Sequence, residues 1–161
     1  NTMTNIKGKK MKIAIGADNR GSGCKRLVSD ILKQHDHKIV DYGVHKNVRM
    51  DYSNIACKVA FALSCEEVNS AVLIGAIGSE MALAANKIPG MRAVACYDQI
   101  QARLAKEKLN CNVLCLAYEL TPETLITKIV ETWLNTKPAD GRYKRRLEEI
   151  EVIEQALNNK V

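Results

Sequence analysis

Aromatic side chains are scarce. The 161 residues include one Trp, one Phe and five Tyr, although 47% of the chain is hydrophobic. A core of ordinary size must then be built from Val, Ile, Leu, Ala and Met, as in a parallel sheet covered by helices. Long apolar runs are also absent. None approaches the roughly 18 residues of a membrane span, so no membrane role is expected. The start, NTMTNIKGKK, lacks the apolar centre of a secretory signal. Residues 1–10 therefore read as a disordered extension or tag remnant, residues 11–161 as one domain, and the protein as cytoplasmic.

C-x-x-C pairs are missing as well. The six cysteines are Cys24, Cys57, Cys65, Cys96, Cys111 and Cys115, and the tightest spacing is the four residues from Cys111 to Cys115. That excludes the common zinc and redox spacings and predicts small buried hydrophobes. The net charge of +6 is dispersed except at KGKK and RYKRR. Neither cluster has an aromatic platform or a nucleic-acid motif beside it, so an anionic small molecule is the expected partner and no nucleic acid is.

What is present is alternation. MKIAIG (11–16), HKIVDYG (37–43), SAVLIG (70–75), MRAVAC (91–96) and NVLCLA (112–117) are short apolar runs that read as strands. Between them lie helical patterns at 23–35, 52–67, 79–87 and 97–109. Two more helices follow: 121–135, opening with Thr121 as cap and Pro122 at the first position, and 143–159. The last carries apolar residues at 147, 150, 153 and 157, a stripe suited to a partner. This order predicts an α/β domain with a parallel sheet.

Open parallel sheets bind ligands beyond the carboxyl ends of their strands. Four loops qualify: GADNRGSG, GVHKNVRMDY, GAIGSE and CYDQ. In GAIGSE (75–80), Gly75 and Gly78 allow close backbone approach, and Ser79 is placed to cap the next helix. Its free amides and the helix dipole suit an anion; an ordinary tight turn is the equal alternative. Asp18 in GADNRGSG is either presented to a ligand or caps a helix. That loop is not a full G-x-G-x-x-G fingerprint, which leaves a dinucleotide role for Asp41 unsupported. Arg142 and Arg146 are four apart, on one face of a helix that begins there. Paired guanidiniums grip phosphate; pairing with Glu148, Glu149 and Glu151 is the alternative.

Taken in order, MKIAIGADNRG, DYGV…VRMDY, VLIGAIGSEMALAANKIPGMRAV, LNCNVL and DGRYKRR resemble the ribose-5-phosphate isomerase B family. That family includes both subunits of galactose-6-phosphate isomerase. The resemblance runs from Met11 to about Leu157. It implies a three-layer α/β/α sandwich, Rossmann-like, with a five-stranded parallel sheet. It also implies dimers or tetramers whose active sites are shared between chains, formed by identical or paralogous subunits. The implied chemistry is aldose–ketose isomerisation of a phosphorylated sugar, with no metal and no cofactor. A base moves a proton between C1 and C2 through an enediolate held by nearby amides.

By position, the resemblance makes Asp18 the ring-binding aspartate, with Asn19 beside it, and Tyr52 a sugar contact. Gly75, Ala76, Ile77, Gly78 and Ser79 match the anion-hole turn, while Arg142 and Arg146 match the phosphate arginines that reach the neighbouring subunit. The chain also departs from the pattern. Asn19 stands where most members have a ring-opening histidine, Gly75 where they have the cysteine base, and Ile77 where they have threonine. Lys108 and Leu109 replace a His-Asn pair, and Glu119 an arginine. One branch of the family uses a glutamate at the start of the next helix as its base, within one position of Glu80. Two readings stand: Glu80 is the base, or the chain is a non-catalytic sugar-phosphate-binding subunit or regulator.

Overall fold

The structure, a computed structural model, describes residues 9–43 and 50–159. The expected extension over 1–10 and the loop GVHKNVRMDY fall largely outside those residues, as does His45. Five strands form the sheet: β1 (Lys12–Ala17), β2 (Lys38–Asp41), β3 (Ser70–Gly75), β4 (Ala93–Ala95) and β5 (Val113–Ala117). All pairs are parallel, in the order β2-β1-β3-β5-β4. Six helices accompany them: α1 (Ser22–Gln34), α2 (Tyr52–Ser64), α3 (Ser79–Ala85), α4 (Gln99–Leu109), α5 (Glu123–Asn135) and α6 (Arg142–Asn158). The three-layer, Rossmann-like α/β/α expectation is met. None of these helices is long and apolar enough to cross a membrane.

Strand periodicity divides the core into two layers. Ile15, Val72, Ile74, Leu114 and Leu116 point to the face covered by α1, α4 and α5, where Val28, Ile129 and Trp133 close over them. Leu73, Val113 and Cys115 point the other way, onto Ile55, Val59 and Met81 of α2 and α3. Burying each large aliphatic side chain is worth about 1.5–3 kcal/mol. The core is aliphatic, as the shortage of aromatics requires. Trp133 is the exception, fully buried, and its indole N–H donates to the Cys111 carbonyl at 3.2 Å.

Three local expectations need correction. Thr121 does not cap α5: it is buried, its hydroxyl has no partner among the described residues, and Pro122 stands at the cap. Pro122 is extended, with φ −65° and ψ 151°, and its carbonyl takes the N–H groups of Leu125 and Ile126. Ser79 makes no capping bond either; the cap of α3 is Gly78. Four cysteines are buried as expected, but Cys57 is half-buried and Cys65 exposed at the end of α2. The stripe on α6 is present and uncovered in the single chain: Ile150, Ile153 and Leu157 are all exposed.

Each helix between parallel strands carries the chain from the carboxyl edge back to the amino edge. This separates the candidate residues. Asp18, the turn after β3 and the starts of α2 and α4 lie at the carboxyl edge. Lys108, at the end of α4, lies at the amino edge, and the start of α6 is there too, with Tyr143 under Lys108 Nζ at 5.7 Å from the ring centroid.

Candidate active site

The turn after β3 is held from three sides. The Gly75 carbonyl accepts from the Tyr118 N–H at 3.0 Å, and the Ala76 carbonyl from the Glu119 N–H at 3.1 Å. The Ile77 carbonyl accepts from the Tyr97 hydroxyl at 2.8 Å. Gly78 has φ +75°, and a Cβ there would lie 3.1 Å from the Leu116 carbonyl carbon. Only glycine accommodates both the positive φ and that approach. Among the described residues nothing accepts from the N–H groups of Gly78, Ser79 or Glu80. They form a cluster of unsatisfied donors at a strand end.

Glu80 folds back into this turn. Its Oε1 accepts from the Ile77 N–H at 3.2 Å. Its Oε2 is buried and has no hydrogen-bond partner among the described residues. A Cβ at Gly75 would collide with Glu80 Oε1 and lie 2.9 Å from its Cδ. The carboxyl group thus fills the volume that a side chain at position 75 would take. A buried carboxylate oxygen with no partner is costly, which marks the position as one kept for something other than stability.

Asp18 ends β1 beside this turn. Its Oδ1 accepts from the Arg20 and Gly21 amides at 3.0 and 2.8 Å, so it caps the turn before α1 rather than the helix itself. Its Oδ2 accepts from the Tyr118 hydroxyl at 3.2 Å. Asn19 is exposed next to it, and Tyr52 is 44% exposed at the start of α2. Asp41, considered for a ribose, is committed to Lys25 at 2.9 Å and to the Gly43 amide at 2.7 Å. Among the described residues no three His, Cys, Asp or Glu side chains gather as metal ligands would.

The two arginines stand apart from this cluster. Helix α6 begins at Arg142, so Arg142 and Arg146 share a face as the spacing requires. Neither makes an ion pair among the described residues; the pair in this segment is Arg145 with Glu149 at 3.0 Å. Arg142 instead donates to the Tyr143 hydroxyl at 3.0 Å, which holds that phenol below its ordinary pKa. One chain therefore carries guanidiniums without a carboxylate partner among the described residues at one sheet edge, and an amide-lined turn at the other.

A family model described as ribose/galactose isomerase matches residues 13–150. The chain belongs to the ribose/galactose isomerase family. It is similar to ribose-5-phosphate isomerase B of Escherichia coli K12, with 34% identity over 147 residues, covering 91% of this chain and 99% of that one. It is 32% identical over 143 residues to the galactose-6-phosphate isomerase subunit LacB of Clostridium acetobutylicum, covering 89% of this chain and 80% of the subunit. Among solved structures, ribose-5-phosphate isomerase B of Clostridium thermocellum superposes with a TM-score of 0.87 at 35% identity, over 91% of this chain and 99% of its own. That of Mycoplasma genitalium, with bound ribulose-5-phosphate, gives 0.82 at 30% identity, over 89% and 96%.

Sequence reasoning pointed to the β3 turn and Asp18, and not to Tyr97 and Tyr118, whose hydroxyls the structure brings onto them. Both follow strands at the carboxyl edge. In the sequence CYDQ offers no role for its tyrosine, and after β5 the family pattern draws attention to Glu119 and not to its neighbour Tyr118. The strand-end rule, applied to all five strands, would have reached both.

Proposed function

We propose that the chain interconverts the aldose and ketose forms of a phosphorylated sugar, with Glu80 as the base. The observation that carries this is the Glu80 carboxylate lying in the space left by Gly75, with Oε2 unpartnered beside the free amides of Gly78 and Ser79. Glu80 takes the proton from C2 of the open-chain aldose, and the released electrons form the C1–C2 double bond. The carbonyl oxygen becomes an oxyanion, which the turn amides stabilise. Returning the proton to C1, while the C2 hydroxyl proton passes to the oxyanion on C1 and the C2–O bond becomes the new carbonyl, gives the ketose.

Asp18, Asn19 and Tyr52 hold the sugar at the carboxyl edge. Arg142 and Arg146 bind the phosphate from a second copy or a paralogous subunit, because their own chain places them at the far edge. A homodimer or tetramer in the cytoplasm, with residues 11–161 as its single domain, is the assembly this implies.

The test is proton exchange at C2 of ribose 5-phosphate, allose 6-phosphate and galactose 6-phosphate. Removing a general base costs on the order of 100- to 10,000-fold, so Glu80→Gln is expected to abolish measurable exchange. Unchanged turnover in that variant would refute Glu80 as base. Similarity to a protein named as a subunit favours one other reading, a sugar-phosphate-binding subunit without turnover. Saturable binding with no exchange for any of the three sugars would select it.

A further inference from the structure

Asp18 and Tyr118 meet across 100 positions of sequence, each just past the end of a strand, and those two strands flank β3 on either side. The Tyr118 backbone N–H is fixed to Gly75, and its ring lies over the turn before α1, where Cδ1 would be 3.3 Å from a Cβ at Gly21. Glycine at 21 leaves room for that ring. The phenol is therefore held by its backbone to the turn carrying Glu80 and by its hydroxyl to Asp18. Burial first, then the Asp18 charge, push the Tyr118 pKa up to about 12, so the hydroxyl keeps its proton and donates it. Arg20 and Glu119, 3.8 Å apart, flank the pair.

An aldose phosphate in water is mostly a cyclic hemiacetal, and the Glu80 step needs the open chain. Opening requires one proton removed from the anomeric hydroxyl and one delivered to the ring oxygen. Asn19 cannot exchange a proton in this range. The histidines among the described residues, His35 and His37, both lie at the amino edge, between the end of α1 and the start of β2. We propose that Asp18 and Tyr118 form a proton relay that opens the sugar ring, a role that rests on the isomerase reading above.

The Asp18 carboxylate takes the anomeric proton, and the electrons of that O–H bond form the C1 carbonyl. The bond from C1 to the ring oxygen breaks, its electron pair stays on oxygen, and that oxygen takes the Tyr118 proton. The proton on Asp18 then crosses the existing hydrogen bond to the phenolate, which restores both groups. Charge and protons balance without a co-reactant. Of about four lone-pair sites on the carboxylate, three are occupied, which leaves one for the anomeric hydroxyl.

The experiment compares two substrates in the full-length chain and its Tyr118→Phe variant. Ribose 5-phosphate is cyclic. Ribulose 5-phosphate has no free hydroxyl placed to close a five- or six-membered ring and stays open. Consumption of the aldose is measured beside solvent deuterium exchange at C1 of the ketose. Aldose kcat/KM is expected to fall on the order of 100-fold more than ketose exchange. Residual aldose turnover should saturate with enzyme concentration at the spontaneous ring-opening rate. Asp18→Asn is the second variant and carries the same asymmetry. Equal losses on both substrates, or none, would overturn the relay and leave the hydrogen bond as a structural tie. Wild-type protein that exchanges none of ribose 5-phosphate, allose 6-phosphate and galactose 6-phosphate would overturn the isomerase reading, and the relay with it, before any variant is compared.

Discussion

The Glu80 carboxylate occupies the space that a side chain at Gly75 would need. The two residues are thus alternatives for one volume at the end of β3: a side chain on the strand, or a carboxyl group folded back from the helix. Gly75→Ala should force Glu80 out of the turn. We expect a stability loss of about 1–3 kcal/mol from overpacking. In a Glu80→Ala background most of that cost should vanish. Urea unfolding of the four proteins in a double-mutant cycle checks this, with an expected coupling of about 0.5–3 kcal/mol. Additive losses would mean that the side chains do not compete.

Tyr97 ties the same turn from β4 through the Ile77 carbonyl. Tyr97→Phe removes one hydrogen bond near the surface, and about 1 kcal/mol or less of stability should go with it. The larger effect is expected on exchange rate, because the Ile77 amide that orients Glu80 belongs to the loosened segment. A several-fold drop in kcat with KM nearly unchanged is the expected pattern. A change confined to KM would place Tyr97 in substrate binding instead.

Arg142→Ala should weaken binding of a phosphorylated sugar by about 10- to 100-fold, the worth of a charge-assisted hydrogen bond, and leave binding of the unphosphorylated sugar unchanged. Isothermal titration of both ligands measures it. Because the arginine and Glu80 lie at opposite edges of one chain, mixed dimers of Arg142→Ala and Glu80→Gln should hold one intact site in each hetero-pair. Random mixing then restores about a quarter of wild-type activity. No recovery after mixing by unfolding and refolding would place each whole site within one chain.

His37 should set part of the acid response of folding. Its Nδ1 accepts from the Met11 N–H at 3.2 Å. Partial burial, followed by the neighbouring His35, lowers its pKa below the ordinary 6.5, with Asp36 opposing. The folded state disfavours the imidazolium, so the unfolded chain binds more protons in mildly acidic solution. Its contribution is complete above the unfolded value and is lost as the pH falls through the lowered folded value. His37→Asn keeps an acceptor for Met11 and removes the titration. Urea midpoints measured across about pH 5 to 7 should vary less in this variant than in the wild type. The same pH slope in both proteins would exclude His37.

The last lesson is where local information stops. Short aliphatic runs alternating with amphipathic segments are enough to call for a parallel sheet between helices, because a strand buried on both faces has few other solutions. Periodicity placed β3 at 70–75, where it lies. Element ends were less legible: Thr121 looks like a cap in sequence, but tertiary packing buries it and leaves the turn to Pro122. The β3 turn and Asp18 were visible because strand ends and glycines mark them. Whether a carboxylate fills the place of the missing side chain at Gly75 depends on how α3 folds back, which no spacing records. The contact of Tyr118 with Asp18 depends on strand order, and β1-β3-β5 adjacency is a property of the whole sheet. The same order sends Arg142 and Arg146 to the far edge. Sequence by itself determined the kind of fold and the strand end where chemistry would gather, since both follow from periodicity and turn residues. Only the tertiary structure decided which side chains meet there, since those meetings depend on strand order and close packing.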